Sequence, residues 1–413
     1  MKQRIAITGI GCVTPVGVGI RPFFSAVAGG VSGIREITHF DCSGFDVKLA
    51  GEVREDMTRP EKFQDAVAGD PKIGFALEAA GQAMRDAGIS GLSGKSLIHL
   101  GTSLKYFDLN KIVQAGMSGF SQIVENSMTP GARGFQTPLD VACELIGDIH
   151  GPDSLKLTNV SACAASTQAI GHTFQRLRDG TFDMALCGGF DSMINPLGIG
   201  GFQLLGALSA NTAENARACR PFDASRNGTV LGEGAAMFVL EPLEHARTEN
   251  RHIYAEILGF GSSLDAWKVS APDPTGAGCL LAMKGAVRDA GLHPGQIDAV
   301  SAHGTGTYLN DETEAAAIRD ILGEKWQTTP VFSTKSLIGH LIGAAGAVEL
   351  VACIQGFMEN RLHPHGALDN VAPGCELDHV VVAPRGFHGQ TILKNSFGFG
   401  GQNATLILGR VEQ

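Results

Sequence analysis

Charge is scarce in this sequence, and so are long hydrophobic runs. Charged residues make up 18% of the 413 residues and hydrophobic ones 44%, which excludes a disordered chain. No stretch reaches the about 20 uninterrupted apolar residues of a membrane helix. At the start, Met1-Lys-Gln-Arg-Ile-Ala-Ile-Thr-Gly, the apolar run ends too early for a signal peptide. We therefore expect a cytoplasmic protein.

A cluster of basic residues is also missing. The chain carries 42 acidic side chains against 32 basic ones, for a formal net charge of −10. Such a chain has no cluster of Lys and Arg residues that would bind a phosphate backbone or an anionic lipid surface. We therefore expect neither nucleic acid nor a membrane among its partners.

The nine cysteines form no recognisable framework. Their number is odd, none are paired as C-x-x-C, and no Cys/His cluster has zinc spacing. Disulfides and a structural metal site are therefore not expected, and most of the cysteines should be small buried hydrophobes. A phosphate-binding G-x-x-x-x-G-K-[ST] loop is absent, and Gly9-x-Gly11 lacks the third glycine of a dinucleotide site.

What is present is glycine, at 55 residues, together with short strand-like runs that alternate with helical patterns. Alternation of this kind predicts an α/β fold with parallel strands covered by helices, either as two or three domains or as one large unit. The predicted strands are 4–10, 97–101, 155–160, 184–187, 237–240, 255–258 and 299–302; the predicted helices are 72–87, 164–178, 280–290, 312–321 and 344–358.

The sequence also repeats itself weakly. Leu77–Ser103 and Leu280–Gly306 align without a gap and share Arg-Asp-Ala-Gly and Gly-Thr at equivalent places. A shorter similarity links residues 7–11 to residues 257–261. These similarities predict two related α/β halves, with sites where the carboxyl ends of strands meet.

Cys163 lies where a predicted strand changes abruptly into a helix of small residues. Unpaired N–H groups and the dipole at a helix N-terminus favour a thiolate over a thiol. The alternative is one more buried cysteine in a helix of small residues. This segment alone leaves both open.

Two histidines and a lysine are notable in the second half. His303 follows a predicted strand and begins a glycine-rich turn, for which a histidine bonded to the backbone is the simpler explanation. Lys335 and His340 lie in a nearly apolar, glycine-rich run, so they need partners or a chemical role. Glu314 is the expected charge partner of Lys335.

A glycine-rich turn near the end of the chain, Asn395–Asn403, contains Phe397 and Phe399. It could be an ordinary connection between strands with core aromatics, or a loop whose backbone N–H groups approach a ligand while a phenylalanine gates access. Together, these segments offer a sulfur nucleophile, two neutral imidazoles, a cation and backbone N–H donors. That set suits acyl transfer through a thioester.

In this order and spacing, the motifs resemble those of the β-ketoacyl-acyl-carrier-protein synthases, the ketosynthases of type II fatty acid synthesis. The resemblance extends from residue 5 to residue 407; its specific stretches are Ala162-Cys163, Arg220–Asp223 with Gly228–Gly234, His303–Thr307, Thr334–Ser336 with Gly339-His340, and Asn395–Gly401. Lys105–Gln136, which in relatives helps to form the acyl pocket and the dimer contact, matches weakly. Chain length, primer and partner therefore stay open.

The resemblance implies a thiolase-like α/β fold of two pseudo-symmetric halves in a layered αβαβα arrangement. We expect residues 1–250 to form the half that carries Cys163 and residues 251–413 the half that carries the histidine, lysine and phenylalanine motifs. It also implies an acyl carrier protein as partner, and a homodimer or a heterodimer with a chain-length factor. No cofactor is expected, because substrates arrive on the phosphopantetheine of the carrier protein.

The resemblance further implies a role for each candidate residue. Cys163 would take an acyl chain as a thioester, and His303 and His340 would stabilise the enolate formed when malonyl-carrier protein loses CO₂. Phe399 would be the gate and would share an oxyanion hole with the backbone N–H of Cys163. Lys335, with Glu314, would hold the charge of the site. The supporting positions are Phe397 and Asp311.

Two other functions have sequence tests. A degradative thiolase needs a second catalytic cysteine near the C-terminus, and residues 395–403 contain none. A non-catalytic chain-length subunit typically lacks the nucleophile, whereas Cys163 is present. The leading interpretation is a decarboxylating condensing enzyme of fatty acid or specialised polyketide or polyene synthesis, and the motifs do not separate these pathways.

Overall fold

A computed structural model describes residues 2–55, 67, 70–105, 137–212 and 215–411. Apart from Lys105, the weakly matching segment 105–136 lies outside the described residues.

The strands, in chain order, are β1 (Ile5–Thr14), β2 (Gly17–Val18), β3 (Ile34–Glu36), β4 (Leu49–Gly51), β5 (Ser96–Gly101), β6 (Leu155–Asn159), β7 (Met184–Asp191), β8 (Gly234–Pro242), β9 (Ala255–Leu264), β10 (Ala299–Ser301), β11 (Pro330–Phe332), β12 (Arg361–Leu362), β13 (Asp378–His379), β14 (Arg385–Gly386), β15 (Thr391–Gly398) and β16 (Gln402–Gly409). The α-helices are α1 (Ile20–Ala28), α2 (Pro71–Asp86), α3 (Val141–His150), α4 (Ala165–Arg178), α5 (Pro196–Leu204), α6 (Leu243–Thr248), α7 (Ala277–Asp289), α8 (Tyr308–Leu322), α9 (Lys335–Ile338) and α10 (Ala345–Met358). Every strand and helix predicted from the sequence has a counterpart among them.

The main sheet has two sides with equivalent strand order, which meet where β1 pairs with β9. One side runs β6-β5-β7-β8-β1 and the other β11-β10-β15-β16-β9. On each side the first three strands are parallel to one another. The third strand pairs antiparallel with the fourth, and the fourth with the fifth. Antiparallel pairing of β1 with β9 joins the two sides. This equivalence is the pseudo-symmetry that the internal similarities predicted.

Helices α4 and α10 lie between the two sides of the sheet. Helix α4 contacts β5 and β7 of one side and β9 and β16 of the other, and α10 contacts both β8 and β15. Helix α2 packs on β1 and β8, and α7 packs on β9 and β16, so these two helices cover the outer faces. The predicted layered α/β arrangement is confirmed. In the part of the chain that the structure describes, none of the helices combines the length and apolar character needed to cross a membrane.

Glycines bring a strand and its covering helix together in the same way in both halves. A Cβ added to Gly9 would lie 2.3 Å from the carbonyl oxygen of Ala83, and one added to Gly259 would lie 2.4 Å from that of Ala286. Both similarities found in the sequence belong to this contact, which occurs once in each half. The shorter one supplies the strand, in residues 7–11 and 257–261, and the longer one supplies the helix, in residues 77–103 and 280–306.

We expect Gly9→Ala to lower the free energy of unfolding by about 1–3 kcal/mol, because the added methyl group must displace backbone. Chemical unfolding measures the effect. Gly44→Ala is the matched control, since its new Cβ would have no neighbour within 4 Å, and we expect a change of at most about 0.5 kcal/mol. Equal stability of the two variants would contradict the close packing at Gly9.

Candidate active site

Cys163 lies in a strained turn at the carboxyl end of β6. The strand ends at Asn159, and a single 3₁₀ turn, Ala162–Ala164, leads into α4. Ala162 adopts a left-handed backbone conformation with φ 48°, and Ile342 repeats it with φ 45° at the equivalent turn before α10. Strain kept in a non-glycine residue commonly marks a functional site. The turn thus directs Cys163 toward the second half.

Two histidines of the second half meet Cys163 there. The Cys163 sulfur and one ring nitrogen each of His303 and His340 all lie within 4.8 Å of one another. The two imidazole rings are 5.3 Å apart at an interplanar angle of 82°. All three side chains are buried. The predicted nucleophile and both predicted imidazoles therefore form one cluster.

Both imidazoles are neutral hydrogen-bond donors. The backbone N–H of Ile342 donates to Nδ1 of His340 at 3.3 Å, and the Lys335 ammonium approaches Nδ1 of His303 at 3.2 Å as a donor. In a neutral ring with Nδ1 as acceptor, the proton is on Nε2. Burial, and then the charge of Lys335, holds the pKa of both rings well below the usual 6.5.

The same tautomers oppose metal binding by Cys163, His303 and His340, although their spacing is short enough for a common ligand. A metal would need the Nε2 lone pairs, which would move the ring protons to Nδ1, where Ile342 and Lys335 already donate. The site is better suited to binding a substrate oxygen through two N–H groups.

The charge partner predicted for Lys335 was wrong. Lys335 forms an ion pair with Glu349 of α10, and both side chains are almost completely buried. The Lys335 ammonium also donates to the carbonyl oxygen of His303 at 2.5 Å. Lys335 therefore holds the backbone and the ring of His303 together.

Glu314 instead holds the loop that carries His303. Its carboxylate accepts the backbone N–H groups of His303 at 2.7 Å and Gly304 at 2.8 Å. Asp311 does the same for the next residue, accepting the N–H of Thr305 at 3.0 Å. Burial raises the pKa of Glu314 to about 6, against the hydrogen bonds that lower it. Both carboxylates therefore serve as supports of the histidine loop.

Opposing effects act on the proton of Cys163. Burial raises the pKa of its thiol to about 11, whereas Lys335 and the backbone N–H of Phe399 lower it. Burial thus opposes the thiolate that the helix position favours, whereas Lys335 and Phe399 support it. Acyl transfer must remove that proton.

Phe399 and Phe397 flank the cysteine. Gly398, between them, approaches so closely that an added Cβ would lie 2.9 Å from the backbone nitrogen of Cys163. The ring of Phe397 is 6.0 Å from that of His303, and the half-buried Phe399 ring stacks on Phe202 at 5.9 Å. The turn is therefore both a connection between β15 and β16 and a wall of the site.

A cavity of about 310 Å³ gives access to the cluster. Its walls include Cys163, His303, His340 and Phe399, and polar side chains such as Thr305 and Thr307 line it as well. A cavity of this kind, with a few converging polar groups, suits a flexible polar arm that brings a reactive group to the cluster.

Sequence reasoning missed two charged residues of this region, Glu349 and Lys394. Lys394 Nζ lies 3.0 Å from a carboxylate oxygen of Glu349. Glu349 is the single charge in the apolar helix Ala345–Met358, and Lys394 is the single charge of β15. Lys335 attracted attention because it is a charged residue in an apolar run, and the same criterion would have identified Glu349 and Lys394.

Comparisons with known proteins agree with this geometry. The sequence profile described as Beta-ketoacyl synthase, N-terminal domain, matches residues 2–246, and that of the C-terminal domain matches residues 254–369. A 3-oxoacyl-[acyl-carrier-protein] synthase 2 of Coxiella burnetii is 38% identical over 99% of this chain and 99% of that protein.

Two solved structures are similar over 100% of both chains. The ishigamide ketosynthase/chain length factor has a TM-score of 0.85 at 30% identity. A type II PKS acyl-carrier protein in complex with its ketosynthase bound to the hexaketide has a TM-score of 0.85 at 29% identity.

Proposed function

The chain belongs to the β-ketoacyl synthase family, and we propose that Cys163, His303 and His340 carry out its reaction, the decarboxylative condensation of an acyl thioester with malonyl-acyl-carrier protein. The product is a 3-oxoacyl-acyl-carrier protein two carbons longer, and CO₂ is released. The observation that carries these assignments is the convergence of one sulfur and two ring nitrogens within 4.8 Å at the end of an open cavity.

In the first step, the Cys163 sulfur attacks the carbonyl carbon of an acyl thioester. The carbon–sulfur bond to the phosphopantetheine breaks, and the proton lost by Cys163 is matched by the one that the departing thiolate takes up. Negative charge develops on the carbonyl oxygen, which the backbone N–H groups of Cys163 and Phe399 stabilise. The same N–H of Phe399 lowers the pKa of the Cys163 thiol, which supports this assignment.

In the second step, the malonyl thioester oxygen accepts hydrogen bonds from the Nε2–H groups of His303 and His340. The bond to the carboxylate breaks, CO₂ leaves, and the electron pair becomes the enolate. Carboxylates in place of the histidines would repel both malonate and enolate. The enolate carbon then attacks the acyl-Cys163 carbonyl, and the carbon–sulfur bond of the intermediate breaks. Cys163 leaves as a thiolate and takes up one proton from solvent, which restores the free site.

The other residues position these groups. Lys335 holds His303, Glu314 and Asp311 support its loop, and Phe397 lies against the same ring. Phe399 acts as the gate. In this assignment, residues 1–250 supply the nucleophile, and residues 251–413 supply the two imidazoles that donate hydrogen bonds to the enolate oxygen. The reaction requires no resident metal or cofactor, because the substrates bring the reactive thioesters.

Intact-mass analysis tests the function. The chain is incubated with acyl-carrier protein, and a mass increase equal to the acyl group should be found on the peptide that contains Cys163. Addition of malonyl-carrier protein should then remove this group and yield a 3-oxoacyl-carrier protein and CO₂. Acyl and carrier variants would identify the pathway, whether fatty acid or polyketide. Loading without condensation over the whole panel would refute the proposal.

A homodimer is the assembly we propose for the chain, through strand β6. Among the described strands, β6 is at one end of the sheet, with one side unpaired. Large apolar side chains near it are exposed: Leu104 by 56%, Leu155 by 47% and Val160 by 52%. An unpaired edge with exposed apolar residues is a pairing surface for a second copy.

We expect Val160→Lys to convert the dimer into a monomer in sedimentation velocity, because it places two charges at the paired edge. Val382→Lys is the control. Val382 is 93% exposed and follows β13, at the opposite end of the sheet, so this variant should stay dimeric. If the parent is monomeric, or if it needs a chain-length-factor partner to dimerise, the homodimer is refuted.

A further inference from the structure

A second lysine lies buried beside the site, and the roles above leave it unused. Lys394 is in the middle of β15, opposite Ser301 of β10 and Leu406 of β16, and its side chain is completely buried. A buried ammonium is strongly destabilising unless other groups compensate its charge. Its partners therefore indicate what it does.

The partners of Lys394 come from the elements that build the site. Its Nζ lies 3.0 Å from Oε2 of Glu349 and 3.3 Å from Oγ1 of Thr167, and it also donates to the hydroxyl of Ser396. The contact with Glu349 is an ion pair between two buried side chains. Thr167 is on α4, which follows Cys163, and Ser396 is on the strand that ends before Phe399.

Glu349 is thus shared between two lysines, with Oε1 facing Lys335 and Oε2 facing Lys394. With both lysines protonated, two ammonium groups share one carboxylate and the trio carries a surplus positive charge. Burial lowers the pKa of Lys394, Glu349 raises it, and the charge of Lys335 lowers it. A single Lys–Glu pair would be neutral. Because the trio is sealed from water, its surplus charge acts on the neighbouring rings with little screening.

The charges around His303 and His340 come from several elements. They are Lys335 of α9, Lys394 of β15, Glu349 of α10 and Glu314 of α8, with the Cys163 thiol and the buried carboxylate of Asp191 facing the cysteine. Burial lowers the pKa of both rings most, and Lys335 follows. Lys394 lowers it further for both rings, although for His303 the neighbouring His340 has the larger effect.

We infer that Lys394 is a positioning residue of the condensation site: paired with the carboxylate that it shares with Lys335, it adds a second positive charge to the buried trio and so opposes protonation of both imidazoles. This inference rests on the proposed function.

The neutral form matters because of what an imidazolium would do. It would pair with the malonyl carboxylate and stabilise the group that must leave as CO₂. It would also deliver a proton to the enolate carbon, giving an acetyl thioester instead of the 3-oxoacyl product. A charged ring would therefore slow decarboxylation and divert the enolate from condensation.

The test replaces Lys394 by methionine, which fills similar space without charge. The pKa values of His303 and His340 are read from the Cε1 chemical shifts of labelled histidine, and decarboxylation and condensation rates are measured against pH. In Lys394→Met we expect both ring pKa values and the acid limb of the rate profile to rise by about one pH unit, the size of effect that one unit charge exerts over roughly 10 Å in a protein interior. At pH values below the acid limb, the ratio of acetyl product to 3-oxoacyl product should rise.

Cys353→Ala is the packing control, because Cys353 is completely buried on α10, one turn after Glu349, and carries no charge as a thiol. It should leave the ring pKa values unchanged. If Lys394→Met does not fold, Lys394→Gln retains a polar group for Thr167 and Ser396 and takes its place.

Ring pKa values within 0.3 units of the parent, or an equal shift in Cys353→Ala, would overturn the inference. The chemical shifts separate this result from the proposed function, because they are measured without turnover. A parent protein that neither loads an acyl group nor condenses would refute the function and leave the effect of Lys394 on the rings measurable.

Discussion

Cys163→Ala should abolish condensation, to below about 10⁻³ of the parent rate, and should prevent acyl loading. The reason is chemical: without the sulfur there is no thioester intermediate, and neither histidine can replace it as a nucleophile because each Nδ1 already accepts a hydrogen bond. The measurement is intact mass after incubation with acyl-carrier protein, followed by product analysis with malonyl-carrier protein.

The same variant should still decarboxylate malonyl-carrier protein, because His303 and His340 are unchanged. The expected product is then acetyl-carrier protein. Cys42→Ala is the control, since Cys42 is the more accessible thiol and lies outside the cluster, and this variant should keep full activity. Continued chain elongation by Cys163→Ala would mean that another group accepts the acyl chain.

His303→Ala and His340→Ala should each slow CO₂ release by about 10²–10³-fold, the loss expected when one donor to a developing oxyanion is removed. Acyl loading onto Cys163 should change less, because its oxyanion site is formed by backbone N–H groups. Radiolabelled malonyl-carrier protein gives the first rate and intact mass gives the second.

Glutamine at each histidine position should restore part of the decarboxylation, because its amide also donates a hydrogen bond without becoming charged. An unchanged rate of CO₂ release in both alanine variants would remove the histidines from the mechanism. Equal losses in loading and decarboxylation would instead indicate a general disturbance of the site.

The fold could be anticipated because the sequence repeats its pattern in both halves. Gly9 and Gly259 each allow a helix to approach a strand closely, and this requirement keeps similar residues at equivalent positions of the two halves. The antiparallel pairing of β1 with β9, which merges the two sides into one sheet, left no such trace. It depends on which edges meet, and the local sequence does not encode that.

The site was predictable as far as each residue had an unusual setting of its own. Cys163, His303, Lys335 and His340 were expected in one place, and they are. The error was in the pairing: Glu314 was expected to be the charge partner of Lys335, whereas Glu349 of α10 is. Which acid meets Lys335 depends on how α10 packs against the site, and the sequence around Lys335 does not show that.

The position of β1 has a consequence for how the protein is made. Ile5 pairs with Pro242 on one side and with Ile257 on the other. Apart from the short strand β2 at its end, β1 therefore has no partner among the described strands until synthesis reaches β8 and β9. Contacts this distant slow folding and leave apolar strands open to aggregation. The nascent chain should therefore depend on chaperones until its second half emerges.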